Sequence, residues 1–205
     1  MGCGTGNLTL KERHLFNNVV GLDISKSMIK KLKNKIHNNS NIELLISDCE
    51  NLPIKTGCVN FVTMFSVLHH IPNIYVALKD AHRVLAQSGA LFIDHEPNDH
   101  RLIRKILVYI NKKIFNIKTT ENVLKLDYSK SDIHVEKGFN RINLINMLND
   151  IGYENVNIGY HNLLPYPPPI NINKKFYILI WMFMDNMPII KNLADSLTLK
   201  AFKSG

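Results

Sequence analysis

The chain is poor in several residue types, and each shortage excludes something. Only three of its 205 residues are cysteine (Cys3, Cys49 and Cys58). No two of them form a C-x-x-C pair and their number is odd, which argues against a zinc site and against a disulfide framework and suits a reducing compartment. No long apolar run is present: the longest, 176–184, has nine residues, whereas a membrane-spanning helix needs about 20. The opening residues contain no charged-then-apolar stretch of the secretory kind, so a cytoplasmic location is expected. Acidic residues are in short supply, 17 against 25 Lys plus Arg, giving a formal charge of +8. An excess of this size reads chiefly as solubility rather than as a nucleic-acid surface. Apolar residues make up 45% and charged residues 20%, which excludes a disordered or collagen-like chain. The length suits a single domain.

What is present is an alternation of short apolar runs and helical periodicities. Residues 7–16 form a short helix candidate. Residues 19–23 (Val-Val-Gly-Leu-Asp) read as a buried strand ending in an acid, and Ser25 stands where a helix N-cap belongs. Met28, Ile29, Leu32 and Ile36 follow at helical spacing. Further strands are expected at 42–46, 61–65 and 90–93. Between the last two, Ile74, Ala77, Leu78, Ala81, Val84 and Leu85 line one face of a helix that Ser88-Gly89 is expected to end. Strands alternating with helices of this length imply a mainly parallel, doubly wound sheet with helices on both faces.

After residue 98 the pattern changes. Residues 101–115 read as a basic amphipathic helix, 117–137 as polar and irregular, and 140–151 as a helix ending at Gly152. Val156, Ile158 and Tyr160 alternate as a strand, and Leu197, Leu199 and Ala201 as a last, antiparallel one. Residues 165–169 form a stiff proline loop, and 176–184 is a buried helix or strand.

Three local features carry chemistry. Gly2-Cys3-Gly4-Thr5-Gly6 can bring backbone N–H groups against a ligand, or can simply make a tight turn. The dinucleotide fingerprint wants a third glycine where Asn7 stands. Asp23, at a strand end, can accept two ribose hydroxyls or can cap the helix that begins after Ser25. Asp48 with Cys49 offers a carboxylate beside a backbone N–H, suited to the edge of an adenine ring. In a doubly wound sheet these acids share the carboxyl edge, where ligands bind.

Five motifs occur in register: Gly-Cys-Gly-Thr-Gly-Asn, Val-Gly-Leu-Asp-Ile-Ser, Ser-Asp-Cys-Glu-Asn-Leu-Pro-Ile, Phe-Ser-Val-Leu-His-His-Ile-Pro and Gly-Ala-Leu-Phe-Ile-Asp-His-Glu-Pro-Asn. Together they resemble the class I S-adenosylmethionine-dependent methyltransferases of the methyltransferase type 11, ubiquinone/menaquinone-biosynthesis-like group. The resemblance is specific over residues 2–98 and weaker over 138–205. It implies a cofactor-binding half (1–98), a variable cap (99–137) and a substrate-side half (138–205) of one domain. It implies S-adenosyl-L-methionine as cofactor. Gly2, Cys3, Gly4 and Gly6 would meet its methionine part, Asp23 its ribose, Ile24 the adenine face, Asp48 and Cys49 the adenine edge, and Phe65 and Ser66 the sulfonium side. His69, His70 and Glu96 are candidates for facing the substrate; the alternatives are packing and hydrogen bonding for the His pair and a structural strand-end acid for Glu96.

The implied reaction is methyl transfer to a small-molecule or lipid-like acceptor, by positioning and desolvation. The alternative is a truncated or non-catalytic scaffold with the same fold. No Asn/Asp-Pro-Pro-aromatic motif stands before Phe65, so a nucleic-acid acceptor is not expected. No metal is expected from the spacing of the nine His and three Cys. The basic face of 101–115 reads as solvated surface or as peripheral contact with an anionic lipid surface.

One departure matters. The family carries an apolar strand ahead of the glycine loop, in mid-sheet, and here Met1 stands directly before Gly2. Without that strand its two neighbours would stand about 9–10 Å apart. Three readings follow: a start further upstream, a non-catalytic relative, or flanking strands that close the gap.

Overall fold

The computed structural model describes residues 1–36, 41–99, 138–161 and 196–205. The elements expected at 101–115, 117–137, 165–169 and 176–184 lie outside these residues. In chain order the described elements are α1 (Asn7–Glu12), a 3-10 turn (Arg13–Leu15), β1 (Val19–Asp23), α2 (Lys26–Lys33), β2 (Ile42–Ile46), β3 (Val59–Phe65), a second 3-10 turn (Leu68–His70), α3 (Ile74–Val84), β4 (Leu85–Pro97), α4 (Arg141–Ile151), β5 (Tyr153–His161) and β6 (Ser196–Lys203).

The strands form two sheets. β1 and β2 pair in parallel. The other four run in the order β3-β4-β6-β5, with β3 parallel to β4 and β6 antiparallel to both its neighbours. The mainly parallel first half and the antiparallel last strand are as the sequence implied. Among the described residues β1 and β3 do not pair with each other, so the flanking strands do not close the gap. A cavity of about 1040 Å³ lies between them, lined along its length by Val20, Leu22, Phe61 and Thr63. The first residues span one end of it: the Met1 ammonium donates to the Thr63 carbonyl at 2.7 Å, and Cys3 N–H donates to the Leu22 carbonyl at 2.9 Å. Burial holds the Met1 ammonium's pKa below its ordinary value, outweighing the attraction of Cys49, Cys3 and Asp23. Phe16 and Phe61 stack beside the cavity, ring centroids 5.5 Å apart.

The main core lies between the four-stranded sheet and helices α3 and α4. Ala77, Leu78, Ala81 and Val84 of α3 are buried, as the periodicity predicted, with Leu144 and Leu148 of α4 and Met64, Leu91, Ile93, Leu197 and Leu199 of the sheet. Asn73 caps α3 by accepting from Val76 N–H, and Asn140 caps α4 by accepting from Ile142 and Asn143. Gly152 ends α4 in the left-handed conformation, φ 106°.

Three expectations need correction. The first helix candidate tightens at Arg13 into a 3-10 turn instead of running on to Phe16. Ser25 holds the N-cap position of α2 without accepting from a helix N–H; its hydroxyl meets the Ser27 hydroxyl instead, at 2.9 Å. Ser88-Gly89 does not end α3. That helix stops at Val84, because Leu85, fully buried and paired with Val59, already has strand geometry.

Candidate functional site

The carboxyl ends of β1, β2, β3 and β4 bring the predicted residues to one edge of the molecule. The glycine loop is left-handed at three positions, with φ 63° at Gly2, 51° at Gly4 and 83° at Gly6. A Cβ on Gly6 would lie 2.1 Å from Leu32 Cδ1, so this glycine lets the loop sit down on α2. A Cβ on Gly4 would meet nothing within 4 Å. Close approach of a ligand to backbone is therefore open at Gly4 and closed at Gly6.

Asp23 ends β1 and ties this loop in place. Its Oδ2 accepts from Gly4 N–H at 2.8 Å and its Oδ1 from Ser25 N–H at 2.9 Å. A carboxylate has about four lone-pair sites, so two bonds leave capacity for a pair of hydroxyls. The helix-entry role and the ligand role proposed for Asp23 are compatible in this geometry. Ile24, next in sequence, is 70% exposed. Asp48 is exposed, with Oδ1 accepting from Glu50 N–H. Cys49 is buried beneath it and receives a hydrogen bond from the Gly2 backbone; burial nonetheless pushes its thiol up to about 11. Burial, reinforced by the Asp23 charge, pushes Cys3 up to about 11 as well. Both stay protonated near neutrality, so neither is a nucleophile.

Phe65 and Ser66 close the edge at the end of β3. Phe65 pairs with Asp94 and is 40% exposed; Ser66 N–H donates to the Asp94 carbonyl at 2.9 Å, and Ser66 has φ 56°.

The three substrate-facing candidates divide. Glu96 is fully buried and takes four hydrogen bonds: Val67 N–H at 2.7 Å and Leu68 N–H at 2.8 Å on Oε1, and His69 N–H at 3.1 Å and His69 Nδ1 at 2.8 Å on Oε2. It is therefore a structural carboxylate holding the Leu68–His70 turn, not one that faces a substrate. His69 is 6% exposed and turned inward to Glu96, so it too is drawn into the core. Only His70, exposed beside it at a ring distance of 4.0 Å, keeps a solvent-facing position.

A second cluster at the same edge was not apparent from sequence spacing. Asp94 Oδ1 lies 2.8 Å from His161 Nε2, Asp94 Oδ2 lies 3.1 Å from His95 Nδ1, and the Thr198 hydroxyl donates to Oδ1. The His95 ring lies 4.2 Å from that of Phe65 and 4.6 Å from that of His161. Burial works to raise the Asp94 carboxyl. The hydrogen bonds from His161, His95 and Thr198 outweigh it and hold the group well below the usual carboxylate range.

Part of the chain is similar to known proteins. Residues 1–93 match the methyltransferase domain family. The demethylmenaquinone methyltransferase of Staphylococcus haemolyticus is 35% identical over 92 residues, covering 43% of this chain and 38% of that protein. The same enzyme of Staphylococcus carnosus is 37% identical over 90 residues, covering 42% and 37%.

Over residues 1–93 the chain is therefore similar to the methyltransferase domain family.

The match spans less than two fifths of these Staphylococcus relatives' length. The fold extends the likeness over the whole chain. The YcgJ protein of Bacillus subtilis superposes with a TM-score of 0.65 at 13% identity, covering 100% of this chain and 90% of that one. The Haemonchus contortus phosphoethanolamine N-methyltransferase 2, solved with phosphomonomethylethanolamine and S-adenosylhomocysteine, superposes with a TM-score of 0.64 at 14% identity, covering 100% and 48%.

Proposed function

We propose that this chain binds S-adenosyl-L-methionine along the carboxyl edge of β1, β2 and β3 and transfers its methyl group to a small, lipid-like acceptor of the quinone class. One observation carries the reading: Asp23 holds the Gly4 backbone at 2.8 Å while keeping acceptor capacity. A carboxylate and a left-handed glycine loop, locked together at a strand end, suit a ligand with a diol and a charged tail. The cofactor, when bound, supplies a methyl group on a sulfonium that is already electrophilic.

The chain's own residues then have positional tasks. Gly2, Cys3, Gly4 and Gly6 would flank the methionine part, Asp23 the ribose, Ile24 the adenine face, and Asp48 with Cys49 the adenine edge. Phe65 and Ser66 would stand beside the reacting atoms, with His70 the remaining candidate on the acceptor side. Positioning two reactants in this way is itself a large contribution to rate. The quinone class is suggested by the activity named for the Staphylococcus relatives. The basic stretch at 101–115 gives a lipid-like acceptor a means of approach from an anionic membrane. Among the described residues no helix is long and apolar enough to cross a membrane, and we take the cytoplasm as the site of action.

The test is transfer of labelled methyl from S-adenosylmethionine to a short-chain demethylated quinone. Label in the extracted quinone, lost in Asp23→Ala, supports the reading. The split between β1 and β3 favours a second reading, a cofactor-binding protein without turnover. Cofactor binding with no transfer to any acceptor would establish that one instead.

A further inference from the structure

Consecutive side chains on a strand point to opposite faces, yet Asp94 and His95 of β4 meet on the same side. The reason is a bulge. Ile93 pairs with Leu199 and Glu96 with Leu197, so Asp94 and His95 together stand opposite the single residue Thr198. The burial pattern slips with it: Leu91 and Ile93 are buried in alternation, and the next buried residue is Glu96. His95 sits at φ 58°, a left-handed conformation that strains a non-glycine residue. Bulges of this kind re-aim side chains beside functional sites.

The result is a compact set of donors. The third residue, His161, comes from the end of β5 and reaches across β6 to the same carboxylate. The imidazole nitrogens of His95 and His161 and an Asp94 oxygen all lie within 4.8 Å of one another. A divalent ion bonded to nitrogen and oxygen at about 2.0–2.2 Å holds neighbouring donors about 2.8–3.1 Å apart in octahedral geometry and about 3.3–3.6 Å apart in tetrahedral geometry. The two observed separations, 2.8 Å from His161 to Asp94 Oδ1 and 3.1 Å from His95 to Asp94 Oδ2, match the octahedral spacing. Thr198 supports the carboxylate from behind, as second-layer hydrogen bonds do for metal ligands. The side chains are 18% exposed at Asp94, 23% at His161 and 42% at His95, so an ion can reach them from solvent.

We propose that Asp94, His95 and His161 bind one divalent transition-metal ion. Two imidazoles and one carboxylate suit zinc, cobalt, nickel or ferrous iron rather than calcium or magnesium, which prefer all-oxygen sites. Three protein donors leave at least one position for water or another oxygen ligand, on the edge where Phe65 packs against His95. On binding, the ion replaces the hydrogen bonds between the imidazoles and the carboxylate, and each ring proton moves to the nitrogen that faces away from the ion.

The test is titration of the tag-free, reduced chain without S-adenosylhomocysteine, so that its outcome is separate from that of the cofactor reading. Zn2+ binding is followed by calorimetry in two buffers, and Co2+ binding by visible absorption. The expected result is one ion per chain at micromolar affinity, with the bands of cobalt held by nitrogen and oxygen. His95→Gln and His161→Gln should each weaken binding at least about tenfold, and Thr198→Val about tenfold. Cys58→Ser should leave it unchanged, since that exposed thiol is the competing ligand. Absence of saturable binding by the natural chain overturns the proposal, whatever the variants do. So does binding that persists undiminished in both His variants, or that disappears in Cys58→Ser.

Discussion

Gly4 N–H donates to Asp23 Oδ2 at 2.8 Å, across 19 residues of sequence. This bond fixes the glycine loop against the end of β1 and points the rest of the carboxylate at the open edge. Hydrogen bonds to a charged group contribute about 1.5–3 kcal/mol each. Asp23→Ala should therefore weaken S-adenosylhomocysteine binding about ten- to a hundredfold, with Asp23→Asn in between. Calorimetric titration of the three proteins checks this ordering.

The glycines should differ in sensitivity. At Gly6 a methyl group meets Leu32 at 2.1 Å and the backbone is left-handed. Gly6→Ala should cost on the order of 2–4 kcal/mol from overpacking and strain together. Gly57 is left-handed too, but a Cβ there meets nothing within 4 Å, so Gly57→Ala should cost about 1 kcal/mol. Urea denaturation of the two variants measures the difference, and equal losses would contradict this packing of the loop.

Glu96 should matter to stability more than to chemistry. It satisfies three backbone N–H groups and one imidazole without contact with solvent. Glu96→Ala leaves these donors buried and unpaired, at a cost of about 3–5 kcal/mol. The variant should unfold at markedly lower denaturant. A folded variant of natural stability that had lost only catalysis would assign Glu96 to the substrate after all.

Acid should release the loop before β3. Burial works to raise the Asp80 carboxyl, but the Arg83 hydrogen bond, the Leu52 N–H and the Arg83 charge outweigh it and hold the group below its usual value. Arg83 also donates to the carbonyls of Ile54 and Leu52. Because the folded pKa is depressed, the stabilisation is present above the unfolded value of about 3.9 and is lost as pH falls through the folded one. Denaturation midpoints should drop below about pH 4, and Asp80→Asn should show a shallower drop.

Thiol chemistry reports on the same edge. Cys3 and Cys49 are pushed up to about 11, whereas Cys58 is exposed. Iodoacetamide at pH 8 should label Cys58 first and the other two slowly, and S-adenosylhomocysteine should slow Cys3 further. Mass mapping of the labelled positions gives the order.

The glycine loop and Asp23 were legible in the sequence because both are local signals: a left-handed loop needs glycines, and a strand that ends in an acid is visible as such. The burial of α3 was legible for the same reason, through its period. For Glu96 and His69 the sequence offered the structural role beside the substrate-facing one but not the bonds that decide between them, because periodicity marks apolar burial and is silent about a carboxylate buried among N–H donors. Ser88-Gly89 looked like a helix end, yet pairing of Leu85 with Val59 stops the helix earlier. Asp94 and His161 meet across 67 residues of sequence and through a bulge in β4. No spacing rule reveals such a meeting; only the register of β4, β5 and β6 does.

The most direct test of the central claim is calorimetric titration of the 205-residue chain with S-adenosylhomocysteine, beside NAD and beside Asp23→Ala. The account predicts saturable binding of S-adenosylhomocysteine at one site, none of NAD, and loss of affinity in the variant. Preference for NAD, or affinity that Asp23→Ala leaves unchanged, would contradict it.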